Sequence, residues 1–142
     1  MGALGLTVRN ALLNLMFGNN AYSPPATYYY SLTANDPGAD GNSGTGEPAF
    51  ANGYARKDVT NDSTLYATLS TVGSISNSIA ITFPVATGTW GVVPLVYFAI
   101  WKHATLTTTA NFVGGGLLPV PKTITAGDTP SYAPGTLVAT LT

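Results

Sequence analysis

One histidine, His103, six carboxylates and no cysteine are the groups from which this 142-residue chain would have to build a catalytic or metal site. A Ser/His/Asp device would depend on His103 alone, and no serine stands in a nucleophile elbow or comparable motif. Zinc asks for three or four His, Cys or carboxylate ligands, which one histidine without cysteine does not supply. Glycoside hydrolysis needs two carboxylates, one of them in apolar surroundings that raise its pKa. The candidates are Asp36, Asp40, Glu47, Asp58, Asp62 and Asp128, and most stand in turn sequence without such surroundings. The reading is a non-enzymatic chain with no catalytic residue, no cofactor and no metal.

Three local patterns test that reading. Asp36, Asp40, Gly41 and Glu47 fall at the first, fifth, sixth and twelfth positions of a calcium loop. Gly38 stands at the third, and Pro37 and Pro48 oppose the flanking helices, so a loop tip is expected and calcium stays the alternative. Gly114-Gly115-Gly116 lacks the Gly-Lys-Ser/Thr ending of a phosphate loop and reads as a flexible turn between strands. Arg56 and Lys57 are adjacent, so in a strand they point to opposite faces. With only Arg9, Lys102 and Lys122 besides, no nucleic-acid footprint is expected, and Arg56 should pair with Glu47 or Asp58. His103, beside Lys102, reads as a surface residue at a strand end.

The elements that would position these groups are mostly strands. At 14.6 kDa the chain is expected to be one domain, residues 1–142, that removes roughly two thirds of its surface from water on folding. Thr7 to Phe17 reads as a helix in an N-terminal segment, residues 1–18. Thr7 should cap it, Val8, Ala11, Leu12, Leu15 and Met16 should line its inner face, and Gly18 should end it. Thr27 to Thr33 is a strand by its aromatic and β-branched content, with Tyr28 and Tyr30 on one face and Tyr29 on the other. Residues 35–53 form a long Gly-rich loop, expected to be mobile. Leu65, Ala67 and Leu69 alternate in a further strand, and residues 73–78 make a polar turn.

The densest β signal is Ile79 to Trp101. Ile79, Ile81 and Phe83 alternate until Pro84, which has no N–H to give a ladder. Leu95, Tyr97, Ala99 and Trp101 then alternate with Val96, Phe98 and Ile100, so both faces of this strand are apolar. Such a strand is covered either by a second sheet or by another chain. Leu117 to Thr125 and Thr136 to Leu141 close the fold, with a turn at Ala126 to Thr129. The whole reads as an all-β antiparallel β-sandwich of jelly-roll type with one short N-terminal α-helix. No signal peptide is read at the N-terminus. The longest apolar run, Val92 to Trp101, is ten residues and contains Pro94, against the about 20 that a membrane helix requires.

Several motifs recur together along the chain: a Tyr-rich strand ending in Ser31-Leu32-Thr33, Gly46-Glu47, "GYAR" at Gly53 to Arg56, "ITFPVATGTWG" at Ile81 to Gly91, and "AGD" at Ala126 to Asp128. In this order, after an amphipathic helix, they resemble a family of small virion proteins of tailed bacteriophages, whose members are often labelled tail fibre or virion structural protein. The resemblance covers nearly the whole chain. It implies a self-associating β-sandwich, frequently a trimer, on the outside of a particle. Asn111 to Gly116 departs from the usual pattern, being longer and richer in glycine, so contacts there are not carried over.

Composition points the same way. Only 8% of residues are charged and the net charge is −1, a surface poorly defended against self-association. The function expected is a structural protein on the virion, assembled in the host cytoplasm. A homotrimeric capsid decoration or cement protein comes first, because a shaft and a mount are not found in 142 residues. A short tail-fibre or baseplate component comes second, and a carbohydrate-binding module third. Expected partners are further copies of the chain, other virion proteins and a host-surface glycan, with no nucleic acid and no membrane. Interface candidates are Leu95, Tyr97, Phe98, Trp101, Leu12 and Met16; Tyr28, Tyr30 and Trp90 are candidates for stacking a ligand.

Overall fold

The computed structural model describes residues 3–18, 22–41, 46–66 and 74–140. The strands are β1 (Ala3–Leu4), β2 (Thr27–Thr33), β3 (Lys57–Thr60), β4 (Ser74–Ser76), β5 (Ile81–Thr82), β6 (Trp90–Trp101), β7 (Phe112–Ile124), β8 (Ser131–Tyr132) and β9 (Val138–Thr140). One helix, α1 (Leu6–Met16), follows β1. A seven-stranded sheet runs in the order β3-β2-β6-β7-β1-β9-β4, antiparallel except for the β1–β9 pair, and β5 and β8 form a separate two-stranded ribbon. The all-β antiparallel expectation with one short helix therefore holds, but the two sheets are very unequal in size.

The sheet is organised on β6 and β7. Phe98 and Ile100 face a core that contains Tyr30, Leu32, Leu95, Val113 and Ile124, and that the ribbon closes with Ile81, Phe83 and Tyr132. Ala99 and Trp101 point the other way, into a second cluster with Phe112 and half-buried Tyr29. Both apolar faces of this strand are thus covered by the chain's own residues. Tyr28 and Tyr30 share a buried face and Tyr29 lies opposite, as the alternation requires. Leu137 and Ala139 turn inward and Val138 outward, again as expected, while Leu141 lies outside the described residues.

Gly114-Gly115-Gly116 is a correction. It forms no turn but the buried centre of β7, paired to β6 on one side, with Gly114 and Gly115 paired to β1 on the other. A Cβ on Gly115 would stand 2.5 Å from the Phe98 carbonyl oxygen and 2.9 Å from Pro37 Cγ. Glycine is needed there because Pro37, itself fully buried, lies directly on the strand. Gly41 meets Phe112 equally closely, and the Leu6 N–H donates to the Ala39 carbonyl. Within residues 35–41 and 46–53, Pro37, Gly41 and Pro48 are thus buried against the body, while most of the others are exposed.

Smaller corrections have equally local causes. Gly5, not Thr7, is the N-cap of α1, and the Thr7 hydroxyl instead donates to the Thr109 carbonyl at 3.1 Å. Gly18 ends the helix at φ 70° as expected. Residues 74–76, read as part of a turn, form the edge strand β4. Leu65 is buried, but in a turn held by Asp62; Ala67 and Leu69, assigned to the same strand, lie outside the described residues. Only Ile81 and Thr82 of the 79–83 stretch join a ladder. The Asn77 side chain organises its approach, donating to the Ile79 and Ala133 carbonyls and accepting from the Leu137 N–H.

Candidate interaction surface

Among the described residues, the one concentration of buried charge is a clamp. Arg56 donates Nε to Glu47 Oε1 at 2.8 Å and Nη2 to Glu47 Oε2 at 2.7 Å, the two-pronged geometry that suits a guanidinium. Its Nη1 donates to the His103 and Leu106 carbonyls at 2.8 and 3.1 Å, and its Cζ lies 4.3 Å from the centre of the Trp101 ring. Tyr54 Oη donates to Glu47 Oε1 at 2.8 Å. Burial, and next the Glu47 charge, hold the Tyr54 phenol well above its ordinary pKa. Each nitrogen of the guanidinium has a partner, and four of its five N–H groups are used within the protein. The clamp is a staple that ties residues 46–56 to the loop after β6, and it bears out the expected Arg56–Glu47 pair. Glu47 is held this way and the Asp36 carboxylate accepts from the Gly38 N–H; residues 42–45, between them, lie outside the described residues. No group of three or more His, Cys, Asp or Glu that could hold a metal is found among the described residues.

At the other end of β6 lies an apolar arm. β2 pairs with β6 only as far as Tyr97, and β1 with β7 only at Gly114 and Gly115. Beyond these points β6 and β7 pair with each other alone, at Trp90↔Ile124, Leu95↔Lys122 and Tyr97↔Leu117. Between the first two rungs Gly91-Val92-Val93-Pro94 opposes Thr123 alone. Between the second two Leu118-Pro119-Val120-Pro121 opposes Val96 alone. Within the arm each strand therefore bulges once, where a proline has no N–H for the ladder, and Gly91 takes the required φ of 76°. Val92 is fully exposed, and Val93, Leu117 and Val120 are about half exposed or more.

Beside the arm, Pro48, Ala49 and Asn52 face Trp90, Val93 and Pro94 across a cleft of 530 Å³ without a charged residue in its lining. Trp90 closes the floor; it is buried and donates Nε1–H to the Asn52 carbonyl at 2.8 Å. A second exposed apolar region lies on α1. Only Val8 of the helix is fully buried, while Leu6, Leu13, Leu15, Met16 and Phe17 are exposed. Leu15 and Met16 were expected to face inward. They do not: the helix packs against β7 and the turn at Thr109–Asn111 on its Val8 side, and Leu15 and Met16 lie off that contact.

The residues singled out from sequence are redistributed accordingly. Leu95, Phe98 and Trp101 are buried in the chain's own two clusters, so they do not offer a surface. Tyr97 is half-buried at the root of the arm, Leu12 is half-buried against the core, and Met16 is 75% exposed. Tyr28, Tyr30 and Trp90 are all in the core. Tyr30 and Tyr66 share a hydrogen bond through their hydroxyls, and burial raises the pKa of both. Tyr28 and Tyr30 turn into the core, and Trp90, 2% exposed, meets solvent only at the floor of the cleft, so none of the three is an open stacking platform. His103 is on the surface, as expected, with Nδ1 accepting from the Leu106 N–H at 3.1 Å. The residues missed were Val92, Val93, Leu117 and Val120. Their signal was present: prolines inside two apolar runs mark bulged, unpaired strand rather than core strand.

Compared with known families, residues 3–140 match the family model described as "Podophage GP4 fiber I protein gp80". No curated protein matches the chain.

Proposed function

We propose that this chain, which belongs to the Podophage GP4 fiber I protein gp80 family, is a non-enzymatic component of a phage fibre that works by docking onto other protein surfaces. Membership makes it a phage structural protein of the virion; the fibre location and the docking role are our reading. The fibre description of the family favours the tail-fibre assignment over capsid decoration, the alternative that ranked first on sequence alone. No specific observation favours decoration.

The observation that carries the docking role is the arm. An apolar, bulged ribbon with a fully exposed valine, on a chain with 8% charged residues, leaves in water what a partner would cover. Its three prolines, Pro94, Pro119 and Pro121, bar strand addition along its edges, so the contact expected is between side chains rather than by β-pairing. Self-association is part of this reading. Sedimentation of the purified chain at micromolar concentration is expected to show assemblies larger than the 14.6 kDa protomer; a stable monomer would refute self-association. Immunogold labelling of virions should decorate fibres, and labelling of the head would replace the fibre assignment with decoration.

A further inference from the structure

We propose that α1 packs in parallel and in register against α1 of a second copy of this chain, through a seam made of Leu6, Asn10, Leu13 and Phe17. The inference rests on the self-association just proposed and names its partner surface. These four residues are separated by steps of four, three and four, the spacing of core positions in a coiled coil. At about 100° per residue they fall in a stripe about 60° wide, with Val8 roughly opposite. Val8 is the residue that α1 buries against the body, so the stripe faces away from the sheet; Phe17 is 80% exposed, and Leu6, Asn10 and Leu13 are exposed as well. Apolar residues thus occur on both sides of this helix, whereas a helix with one partner needs them on one side only.

The polar member of the seam identifies the occupant. A lone Asn at a coiled-coil core position is satisfied when it meets the same Asn on a parallel neighbour, amide to amide, and it fixes register at some cost in stability. Against an unlike apolar partner, Asn10 would be buried without a hydrogen bond. An antiparallel copy would set Asn10 opposite Leu13, with the same penalty. No charged residue lies in the seam, so identical copies meet there without repulsion between like charges. A helix of eleven residues is too short to hold chains together alone. Its role is to set orientation among copies that other surfaces, the arm included, have brought together.

The chain has no cysteine, which makes the test direct. Under mild oxidation the Leu13→Cys variant is expected to form disulfide-linked dimers, since parallel seam positions bring equivalent side chains within bonding reach. Asn14→Cys, exposed but about 100° away around the helix, should not. Equal linkage at both positions, or at neither, overturns the seam. Leu13→Asp should keep the wild-type circular dichroism and melting temperature while weakening self-association about tenfold; undiminished association overturns it too. If the wild-type chain is monomeric throughout, the self-association reading falls along with the seam. If it associates but Leu13→Cys does not link, only the seam falls.

Discussion

The inner and outer halves of the β6–β7 ribbon use the same kinds of residue to opposite ends. In the inner half, Phe98–Trp101 against Phe112–Gly116, both faces are covered, and of the three glycines on β7 Gly115 lies too close to the Phe98 carbonyl for a Cβ. In the outer half, Trp90–Tyr97 against Leu117–Ile124, Trp90, Leu95, Leu118 and Ile124 turn into the core while Val92, Val93, Leu117 and Val120, of similar hydrophobicity, stand in water. Hydrophobicity does not distinguish the halves; the neighbours do. β2, β1, Pro37 and the Arg56 clamp enclose the inner half, and prolines keep any strand from joining the outer one. An apolar strand therefore becomes core where the chain supplies a second layer and contact surface where it does not.

The largest separation of the two halves is expected at high pH. Burial raises the phenols of Tyr28, Tyr30, Tyr54 and Tyr132 in the folded state, and none of them lies in the outer half. A raised acid pKa contributes stability that is complete below the unfolded value of about 10 and is lost as pH rises above it. Each pH unit beyond that point removes about 1.4 kcal/mol per tyrosine, so a few tyrosines exceed a domain's whole stability of about 5–15 kcal/mol. Phenolate absorbance and the far-ultraviolet circular dichroism are expected to change together. Tyrosines that ionise near their ordinary value with the fold intact would show the inner layer to be open to water.

Arg56→Ala comes next. It leaves Glu47 buried beside Tyr54 without its counter-charge, which typically costs about 3–5 kcal/mol, and it also uncovers one face of Trp101. Urea unfolding measures the loss, and Arg56→Met combined with Glu47→Leu is expected to recover much of it, since an apolar pair has no charge to strand. Gly115→Ala follows. Its methyl group meets a backbone carbonyl rather than a side chain that can swing away, so overpacking of about 1–3 kcal/mol or more is expected as a lowered melting temperature.

Both of these sites show what the sequence made legible. The Arg56–Glu47 pair was readable because a chain with so few charges offers few partners, and β2 was readable because its tyrosines alternate. The glycine run misled, because a turn and a close crossing ask for the same residue, and only the position of Pro37 separates them. Leu95, Phe98 and Trp101 showed that a two-faced strand needs cover, but periodicity carries no information on who supplies it. The exposed valines were hidden for the converse reason: they read as more of the same strand until the prolines among them are taken as breaks in the ladder.

The smallest effect on stability is expected in the arm itself, and it is the most direct way to break the comparison. Val92 is fully exposed, and its side chain covers nothing else in the protomer. Val92→Ser should therefore change the stability of the isolated chain by no more than about 0.5 kcal/mol, the usual range for surface sites. The same change at a core valine would cost several times as much, through the lost burial and the cavity left behind. Melting temperatures must be compared at a dilution where chains are separate, because a partner that binds only the folded form adds apparent stability. At high concentration the variant should then melt lower than the parent, by the amount its weakened docking no longer contributes. A loss of about 1 kcal/mol or more at high dilution would mean that Val92 is packed within its own chain, and that the outer half of the ribbon is core after all.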